Sequence, residues 1–395
     1  MAPAFLLGRS RAAATFDGVV ATIRGGGRPD ALPWCLRGPD GEVARFGTGD
    51  PMFTVVIRTP AGLEAVASLS ELAVAEAYMR DDLDFEGDFF SVMELRHLLA
   101  DRHWAITAWA QVQPLLVGRT RLNPKWIAKH YDTKNVQTLA LDRDWSVYTP
   151  GIYDGDDDTL EAGSARKLEY AFTWLGLKEG DSLLDVGCGW GGFTRYCAAR
   201  GVQVTGITLS RDQLAYTTAR LAEDGLEATV LYQDFFTFEP GRRFDALSMM
   251  GVIEDLSDYD RTLAGVTRLL TPTGRVYCDF ASSRSRFGIA STITRHIWPG
   301  TFRMVYLPSF TKAVAGNDFE IVRIDNDRHN YHLWCRKVHE RWVARHEDVL
   351  EVVDEATWRL HRMLQSGVAH AMGPTSIDDT AYRVVLGPRA PTAPR

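Results

Sequence analysis

The chain has 395 residues, a length typical of two or three domains. Hydrophobic residues make up 45% of it and charged residues 24%, which is ordinary globular composition and excludes a mainly disordered or fibrous protein. The formal net charge of −7 argues against a protein that binds nucleic acid over its whole surface.

The five cysteines follow neither a disulfide nor a zinc-ligand pattern, so we expect reduced thiols and no metal site. The apolar run at the start of the sequence is too short for a signal peptide, and no stretch approaches the roughly 18 apolar residues of a membrane span. We therefore expect a cytoplasmic protein. Peripheral contact with the inner face of a membrane stays open, although no strongly basic amphipathic helix supports it.

Residues 1–120 predict a small, mainly helical domain with a few strands. Residues 24–51 are rich in glycine, proline and aspartate and predict loops between short strands, whereas residues 52–59 have the β-branched side chains of a strand. A helix is predicted next, with Ser68 or Ser70 as its cap. Two more helices are predicted over residues 88–100 and 103–117.

Residues 121–390 predict an α/β domain, in which strands and helices alternate. The strands are predicted at residues 182–187, 202–209, 228–234, 244–252 and 274–282. The helices are predicted at residues 164–175, 192–200, 211–223 and 259–270. Short connections between them are typical of a parallel, doubly wound, Rossmann-like sheet. One long helix is predicted over residues 336–364, and residues 391–395 predict a disordered tail.

A glycine-rich turn, LLDVGCGWGG, follows the first strand of this domain. The strand ends at Asp185, and Gly187, Gly189 and Gly191 permit a sharp turn and let a ligand approach the backbone closely. A plain strand-to-helix turn would use the same glycines. The motif is not a nucleotide-binding P-loop, because no Gly-Lys-Ser/Thr follows it.

Polar side chains at the ends of the next two strands distinguish between the two cofactors that remain as candidates, S-adenosylmethionine and NAD. These residues are Thr208, Ser210, Gln213, Gln233 and Asp234, and the apolar Leu209, between the first two, is also an expected cofactor-binding residue. The group after the second strand is neutral, unlike the acidic residue with which a dinucleotide fold binds ribose. The Asp234 carboxylate can accept a hydrogen bond from an adenine amino group. The pattern therefore favours S-adenosylmethionine over NAD.

Several motifs then occur in a characteristic order. They are HYD with Asn135, VYT at Tyr148 and Thr149, KLEY before the glycine turn, GITLSRDQ, FDALSMMGVIEDL, LPS and YHLWCRKVHERW. In this order they resemble the cyclopropane fatty acid synthases, which include the mycolic acid methyltransferases. The similarity spans most of residues 50–390. It adds Tyr148 and Thr149 to the expected cofactor-binding residues.

The resemblance implies transfer of a methyl group from S-adenosylmethionine to the double bond of an unsaturated acyl chain. Proton loss from the resulting carbocation closes a cyclopropane ring or leaves a methylene branch. The substrate would be a phospholipid or a carrier-bound chain, the N-terminal domain would present it, and the enzyme would be a homodimer. An apolar pocket is required, because water would quench the cation.

The resemblance also implies a bicarbonate-like ion as base, held by a Cys, a Glu, a His and a Tyr. Glu254 and Tyr331 match two of these positions, but Pro150 replaces the Cys and Asp279 replaces a His. A second carboxylate beside Glu254 would repel an anion and raise one carboxyl pKa. The sequence therefore predicts either that Asp279 or Glu254 acts as the base, or that the activity has changed.

Two alternatives stay open at this point. The alkene could belong to an isoprenoid or a polyketide of specialised metabolism. The chain could instead be a catalytically weakened paralogue that binds S-adenosylmethionine and acts as a partner protein.

Overall fold

A computed structural model of the protein describes residues 14–26, 28–101, 136–284, 291–297, 303–376 and 379–389. The chain forms two compact units, of which the first contains residues 14–101 and 354–361 and the second the other described residues. The predicted boundary at residue 120, the helix over 103–117, the HYD motif with Asn135 and the 391–395 tail lie outside the described residues.

The first unit contains a four-stranded sheet with the order β2-β1-β3-β4. Its strands are β1 (Trp34–Arg37), β2 (Val43–Phe46), β3 (Phe53–Ile57) and β4 (Leu83–Gly87), and only the β1–β3 pair is parallel. Its helices are α1 (Phe16–Gly25), α2 (Pro60–Ala67), α3 (Glu71–Met79) and α4 (Phe89–Val92), and a 3₁₀ helix (Met93–Leu98) follows α4. Helical residues outnumber strand residues in this unit, as predicted.

Most of the predicted elements of this unit are confirmed. The strand predicted at 52–59 is β3, and the predicted capped helix is α3, whose Ala73 N–H donates to Ser70 Oγ. The helix predicted over 88–100 is instead the short α4 and the 3₁₀ helix. Helix α2 was not predicted, although Thr59 caps it and Pro60 starts it, both of which favour a helix start.

The second unit contains a seven-stranded sheet with the order β10-β11-β9-β8-β5-β6-β7. Its strands are β5 (Ser182–Val186), β6 (Gln203–Thr208), β7 (Thr229–Tyr232), β8 (Phe244–Met250), β9 (Leu270–Ser283), β10 (Phe319–Asn326) and β11 (Asp379–Pro388). The five predicted strands, β5 to β9, are parallel to one another. Strand β11 is antiparallel to both β9 and β10.

Helices cover both faces of this sheet. The helices of this unit are α5 (Leu160–Leu175), α6 (Gly192–Ala198), α7 (Arg211–Glu223), α8 (Tyr259–Leu269), α9 (Ser291–His296), α10 (Leu307–Gly316), α11 (Arg328–Ala344), α12 (His346–Leu350) and the part of α13 (Glu355–Ala371) from residue 362 onward. Leu183 packs with α5 and α6, and the next residue, Leu184, packs with α8 and α10. Because successive strand residues point to opposite faces, each face of the sheet has its own apolar core. The predicted doubly wound, Rossmann-like fold is confirmed.

The single helix predicted over 336–364 is wrong, because three helices occupy this region. Arg345 lies between α11 and α12 with φ −108°, and Asp354 Oδ1 accepts a hydrogen bond from Thr357 N at the start of α13. A side-chain cap of this kind begins a new helix. Among the described helices, none combines the length and the apolar character of a membrane span.

Candidate active site

A cavity of about 240 Å³ lies in the second unit, at the carboxyl ends of its parallel strands. Its wall contains the turn after β5, the ends of β6, β7 and β8, residues 146–149 and side chains of α11 and α13. Open parallel sheets bind their ligands in this position, because the loops that follow the strands meet there.

The glycine turn forms one part of the wall. Gly187, Gly189 and Gly191 have φ values of +65°, +56° and +80°, which side chains rarely tolerate. A Cβ at Gly187 would lie 2.6 Å from Val252 Cγ2, and one at Gly191 would collide with Thr217. A Cβ at Gly189 would meet only Gly187 O, at 3.9 Å, so this residue faces open space at the cavity wall.

Asp185 fixes the end of β5 beside this turn. It is buried, and its carboxylate accepts hydrogen bonds from Thr194 Oγ1 at 2.7 Å and Ser248 Oγ at 2.6 Å. Burial raises the pKa of Asp185 to about 6. The two hydroxyls therefore tie β5 to α6 and β8 and hold the turn in place.

Ten of the twelve predicted cofactor-binding residues line the cavity: Tyr148, Thr149, Asp185, Gly187, Gly189, Thr208, Leu209, Gln213, Gln233 and Asp234. Gly191 and Ser210 lie behind the wall. Ser210 caps α7 by accepting from Gln213 N, at 3.2 Å. Asp234 Oδ1 accepts from Phe236 N at 2.8 Å, so this predicted adenine ligand also starts the 3₁₀ turn after β7.

Glu254 lies in the turn after β8 and lines the cavity. It is only 5% exposed; its Oε1 accepts from Ala281 N at 2.8 Å, whereas its Oε2 has no hydrogen-bond partner. Burial, together with the nearby charges of Asp255 and Asp279, raises the pKa of Glu254 to about 8. Glu254 is therefore mostly protonated at pH 7 and can exchange a proton near neutral pH.

Two aromatic residues of α11, Tyr331 and Trp334, share the cavity wall with this carboxyl. Trp334 lies edge-on to Tyr148, with ring centroids 6.0 Å apart, and edge-on to Tyr331, at 5.9 Å. All three line the cavity. Burial raises the pKa of Tyr331 well above its usual value, so its hydroxyl stays protonated and can donate a hydrogen bond.

Asp279, the third predicted catalytic residue, does not line the cavity. Its Oδ2 forms an ion pair of 2.7 Å with Lys167 Nζ on α5 and accepts from Tyr277 Oη, and its Oδ1 accepts from Gly251 N at 3.0 Å. The sequence predicted two uncompensated carboxylates, but Lys167 neutralises one of them. Lys167 is the one charged residue on the apolar face of α5, and this feature of the sequence could have predicted a buried ion pair.

Other wall residues were also missed by the sequence analysis. They are Trp190, Asp255, Trp334, Cys335, Leu364, Gln365 and Val368. The last three belong to α13, whose apolar spacing indicates only a buried helix face. Trp190 Nε1 is buried without a hydrogen-bond partner. All five cysteines are free and buried, and no cluster among the described residues could hold a metal ion.

Comparison with known proteins identifies the family. The sequence model of mycolic acid cyclopropane synthetase matches residues 119–378, about two thirds of the chain. The chain belongs to the mycolic acid cyclopropane synthetase family. The resemblance found in the sequence is thereby confirmed. A second model, of a domain of unknown function, matches residues 31–103.

Several curated relatives of this chain carry the names of lipid methyltransferases. It is 27% identical to a probable fatty acid methyltransferase of Pseudomonas putida, over 86% of this chain and 88% of the relative. It is 28% identical to a probable fatty acid methyltransferase of Mycobacterium tuberculosis, over 77% and 80%. A sphingolipid C9-methyltransferase of Komagataella phaffii is 24% identical, over 70% and 61%.

Solved structures of cyclopropane synthases share the fold. The mycolic acid cyclopropane synthase CmaA1, complexed with SAH and CTAB, matches with a TM-score of 0.60 and 21% identity, over 67% of this chain and 98% of that one. The cyclopropane synthase MmaA2 of Mycobacterium tuberculosis matches with a TM-score of 0.62 and 20% identity, over the same shares.

Proposed function

We propose that this protein is an S-adenosylmethionine-dependent C-methyltransferase that acts on the double bond of an unsaturated acyl chain in a lipid. Family membership and the lipid-modifying relatives support the reaction class. The observation that carries the proposal is Glu254, a buried carboxyl with one unpartnered oxygen at the wall of a cavity that also contains the glycine turn.

The cavity fits S-adenosylmethionine, which supplies an electrophilic methyl group on a sulfonium when bound. The open space beside Gly189 leaves room for a ligand against the backbone. Trp190 Nε1 is a buried donor without a partner, and Gln213 and Asp234 present polar groups to the same wall. Trp190 and the ten predicted residues that line the cavity are the proposed cofactor site.

The aromatic side chains protect and stabilise positive charge on the alkylated chain. Tyr148, Tyr331 and Trp334 line the cavity. Each aromatic face stabilises a nearby cation by about 0.5–2 kcal/mol. The same side chains keep water away from the reacting carbon, which would otherwise end as an alcohol.

Glu254 is the proposed base. When ionised, its unpartnered Oε2 accepts the proton that the substrate cation releases, while Oε1 stays bonded to Ala281 N. Tyr331 is the proposed hydrogen-bond donor at the reaction centre. Asp279 would act indirectly, since Lys167 and Gly251 already occupy its oxygens.

The residues around Glu254 do not fit bicarbonate. Pro150 has neither a side-chain donor nor a backbone N–H. Among the described wall residues, Arg261 is the only cation, and its guanidinium lies 4.1 Å from the ring centroid of Phe236. No step is therefore assigned to a bound anion. The lipid-presenting role of residues 1–120, the homodimer and peripheral membrane contact stay predictions.

A methyl-transfer assay tests the proposal. Purified protein and methyl-labelled S-adenosylmethionine are incubated with vesicles of dioleoyl phospholipid or of an unsaturated sphingolipid, and the lipids are analysed by mass spectrometry. We expect label in an acyl chain. Glu254→Gln should lower the rate by about 10²–10³, because it removes the base and a charge that stabilises the cation.

Glu239→Gln, which changes an exposed carboxylate in the same unit, is the matched control and should keep wild-type turnover. A Glu254→Gln enzyme with more than half of the wild-type rate would remove Glu254 from the mechanism. Binding of S-adenosylmethionine without transfer to either lipid would instead favour a partner protein or a different alkene, such as an isoprenoid or polyketide.

A further inference from the structure

Lys167 is a fully buried cation on α5, a position that is unfavourable unless the charge is compensated. The carboxylates of Asp279 and Asp327 compensate it. Nζ forms the 2.7 Å ion pair with Asp279 Oδ2 and also donates a hydrogen bond to Thr149 Oγ1. Lys167 does not line the cavity, so it acts on the site only through these partners.

These bonds form one connected path between two segments of the cavity wall. Thr149 lies in the first segment, and Gly251, whose N–H donates to Asp279 Oδ1, lies in the second. The two segments touch, because a Cβ on Gly251 would lie 2.7 Å from Thr149 Cγ2. Glu254 follows Gly251 by three residues, in the same turn.

The charged and titratable groups around Glu254 come from five segments of the chain. They are Asp255 in the same turn, Cys278 and Asp279 on β9, Tyr331 on α11, Tyr259 on α8, and Arg303 in the segment before α10, whose backbone N–H donates to Glu254 O at 3.2 Å. Burial raises the pKa of the thiol and of both phenols, so these three groups are neutral near pH 7. Asp279 is therefore the one carboxylate from another element that faces Glu254 among the described residues, and Lys167 is its counter-ion.

We propose that Lys167 is a positioning residue for Glu254: it holds the wall segments at Thr149 and Gly251 together and compensates the Asp279 charge that faces Glu254. The inference rests on the proposed role of Glu254 as the base. Lys167 contacts neither substrate nor cofactor in this scheme. Its effect reaches the reaction through the ionisation and the placement of the Glu254 carboxyl.

Three variants separate the charge effect from a packing effect. Asp279→Asn removes the facing carboxylate and leaves the cation. Lys167→Met leaves the carboxylate without its counter-ion. The Lys167→Met/Asp279→Asn double variant removes both charges at similar volume, a replacement that folded proteins tolerate better than half of a buried pair.

Infrared titration measures Glu254 directly, without lipid or cofactor. The carboxylic-acid C=O band of Glu254 is assigned by its loss in Glu254→Gln. We expect the midpoint to be lowest in Asp279→Asn, higher in the double variant, higher again in the wild type and highest in Lys167→Met. Each single variant should differ from the wild type by about one pH unit. The acid limb of the pH–rate profile should shift in the same order.

Arg341→Met is the structural control. Arg341 on α11 forms an ion pair of 2.9 Å with Glu161, which lies on α5, the helix of Lys167. Loss of this pair should lower the midpoint of thermal unfolding without moving the midpoint of the Glu254 titration. If Lys167→Met does not fold, the order of the Glu254 titration midpoints in Asp279→Asn, the double variant and the wild type still tests the inference. Equal midpoints in those three proteins, or an equal shift in Arg341→Met, would overturn the inference.

The titration also keeps this inference separate from the proposed function. If the titration midpoints follow the expected order but the wild type methylates neither lipid, the proposed function alone is contradicted. If the wild type methylates lipid but all variants titrate with the same midpoint, the role of Lys167 alone is contradicted.

Discussion

Glu254 connects the sequence to the chemistry at the residue scale. Its position in the family motif predicted a catalytic role, but its ionisation depends on burial, which only the fold determines. The same limit applies to Asp279. Its strand-end position was visible in the sequence, whereas its counter-ion Lys167 is more than a hundred residues away in the chain and meets it only after folding.

The rate of methyl transfer should rise with pH as Glu254 ionises. Because the pKa of Glu254 is raised to about 8, we expect about a tenfold increase from pH 6 to 7, half of the maximal rate near pH 8 and a plateau above about pH 9. Single-turnover transfer of labelled methyl to dioleoyl phospholipid vesicles across this range measures the profile. A rise in rate centred near pH 4 to 5, where an ordinary carboxyl titrates, would contradict the raised pKa of Glu254.

Gly189→Val should abolish binding of S-adenosylmethionine. The valine would face strain at φ +56°, and its methyl groups would occupy the open space beside the turn. Calorimetric titration with S-adenosylmethionine measures the affinity. Gly225→Val is the control for strain alone, because Gly225 has φ +66°, open surroundings and no place in the cavity wall. Unchanged affinity in Gly189→Val would refute the assignment of this turn.

At the scale of elements, local pattern predicted the five parallel strands and most of their helices. Apolar runs followed by glycine or polar turns mark these strands without any tertiary information. After the buried Phe319, strand β10 alternates exposed and partly buried residues and leaves Val322 and Ile324 exposed at the sheet edge. It and β11 were missed because their pairing joins distant parts of the chain, and no local motif marks it.

The region of α11 to α13 shows why continuous periodicity misleads. Apolar residues keep helical spacing through the breaks, so the pattern alone predicts one helix. The breaks depend on the Asp354 cap and on the different neighbours of each piece. The wall residues Leu364 and Val368 carry no chemical signal, so only their place in the fold assigns them to the site.

Residues 354–361 cluster with the first unit, and Arg359 in this segment forms ion pairs there. Its side chain is 8% exposed and pairs with Asp81 at 2.7 Å and Glu355 at 3.0 Å, over the ring of Tyr78. Arg359→Met should destabilise the first unit by about 1–3 kcal/mol. This is less than the cost of breaking a fully buried pair, because Asp81 is partly exposed.

Chemical denaturation followed by hydrogen exchange of β4 measures that loss. Arg80→Met is the matched control, since the Arg80–Asp82 pair is 2.9 Å long but its arginine is 56% exposed. An exposed pair contributes about 0–1 kcal/mol. Equal losses in the two variants would show that Arg359 does not tie residues 354–361 to this unit.

At the scale of the whole molecule, burial shifts the ionisation of several acidic side chains of the second unit toward neutral pH. Burial raises the pKa of Asp255 to about 7, that of Asp185 to about 6 and that of Asp327 to about 6, beside the value of about 8 for Glu254. In the first unit, burial lowers the pKa of His361 to about 4, so this imidazole is neutral in the folded protein. The burial of these groups therefore makes the stability of the folded protein depend on pH.

The stability of the second unit should fall as pH rises from about 5 to 8. In this window the folded state retains the protons of these acids, whereas the unfolded state, with ordinary carboxyl pKa values near 4, has lost them. Stability then decreases by about 1.4 kcal/mol per pH unit for each such group, up to its folded pKa. The His361 effect has the opposite sign but adds no slope above about pH 6.5, the ordinary pKa of histidine.

Glu254→Gln isolates the largest of these contributions, because it keeps an acceptor for Ala281 N and cannot ionise. Its free energy of unfolding relative to the wild type should therefore increase with pH, by about 1.4 kcal/mol between pH 6.5 and 7.5. Hydrogen exchange of β8, followed by mass spectrometry at several pH values, measures the second unit separately from the first. Glu239→Gln should run parallel to the wild type. If Glu254→Gln also runs parallel, Glu254 is ionised in the folded protein at neutral pH, and neither its raised pKa nor the alkaline rise of the methyl-transfer rate holds.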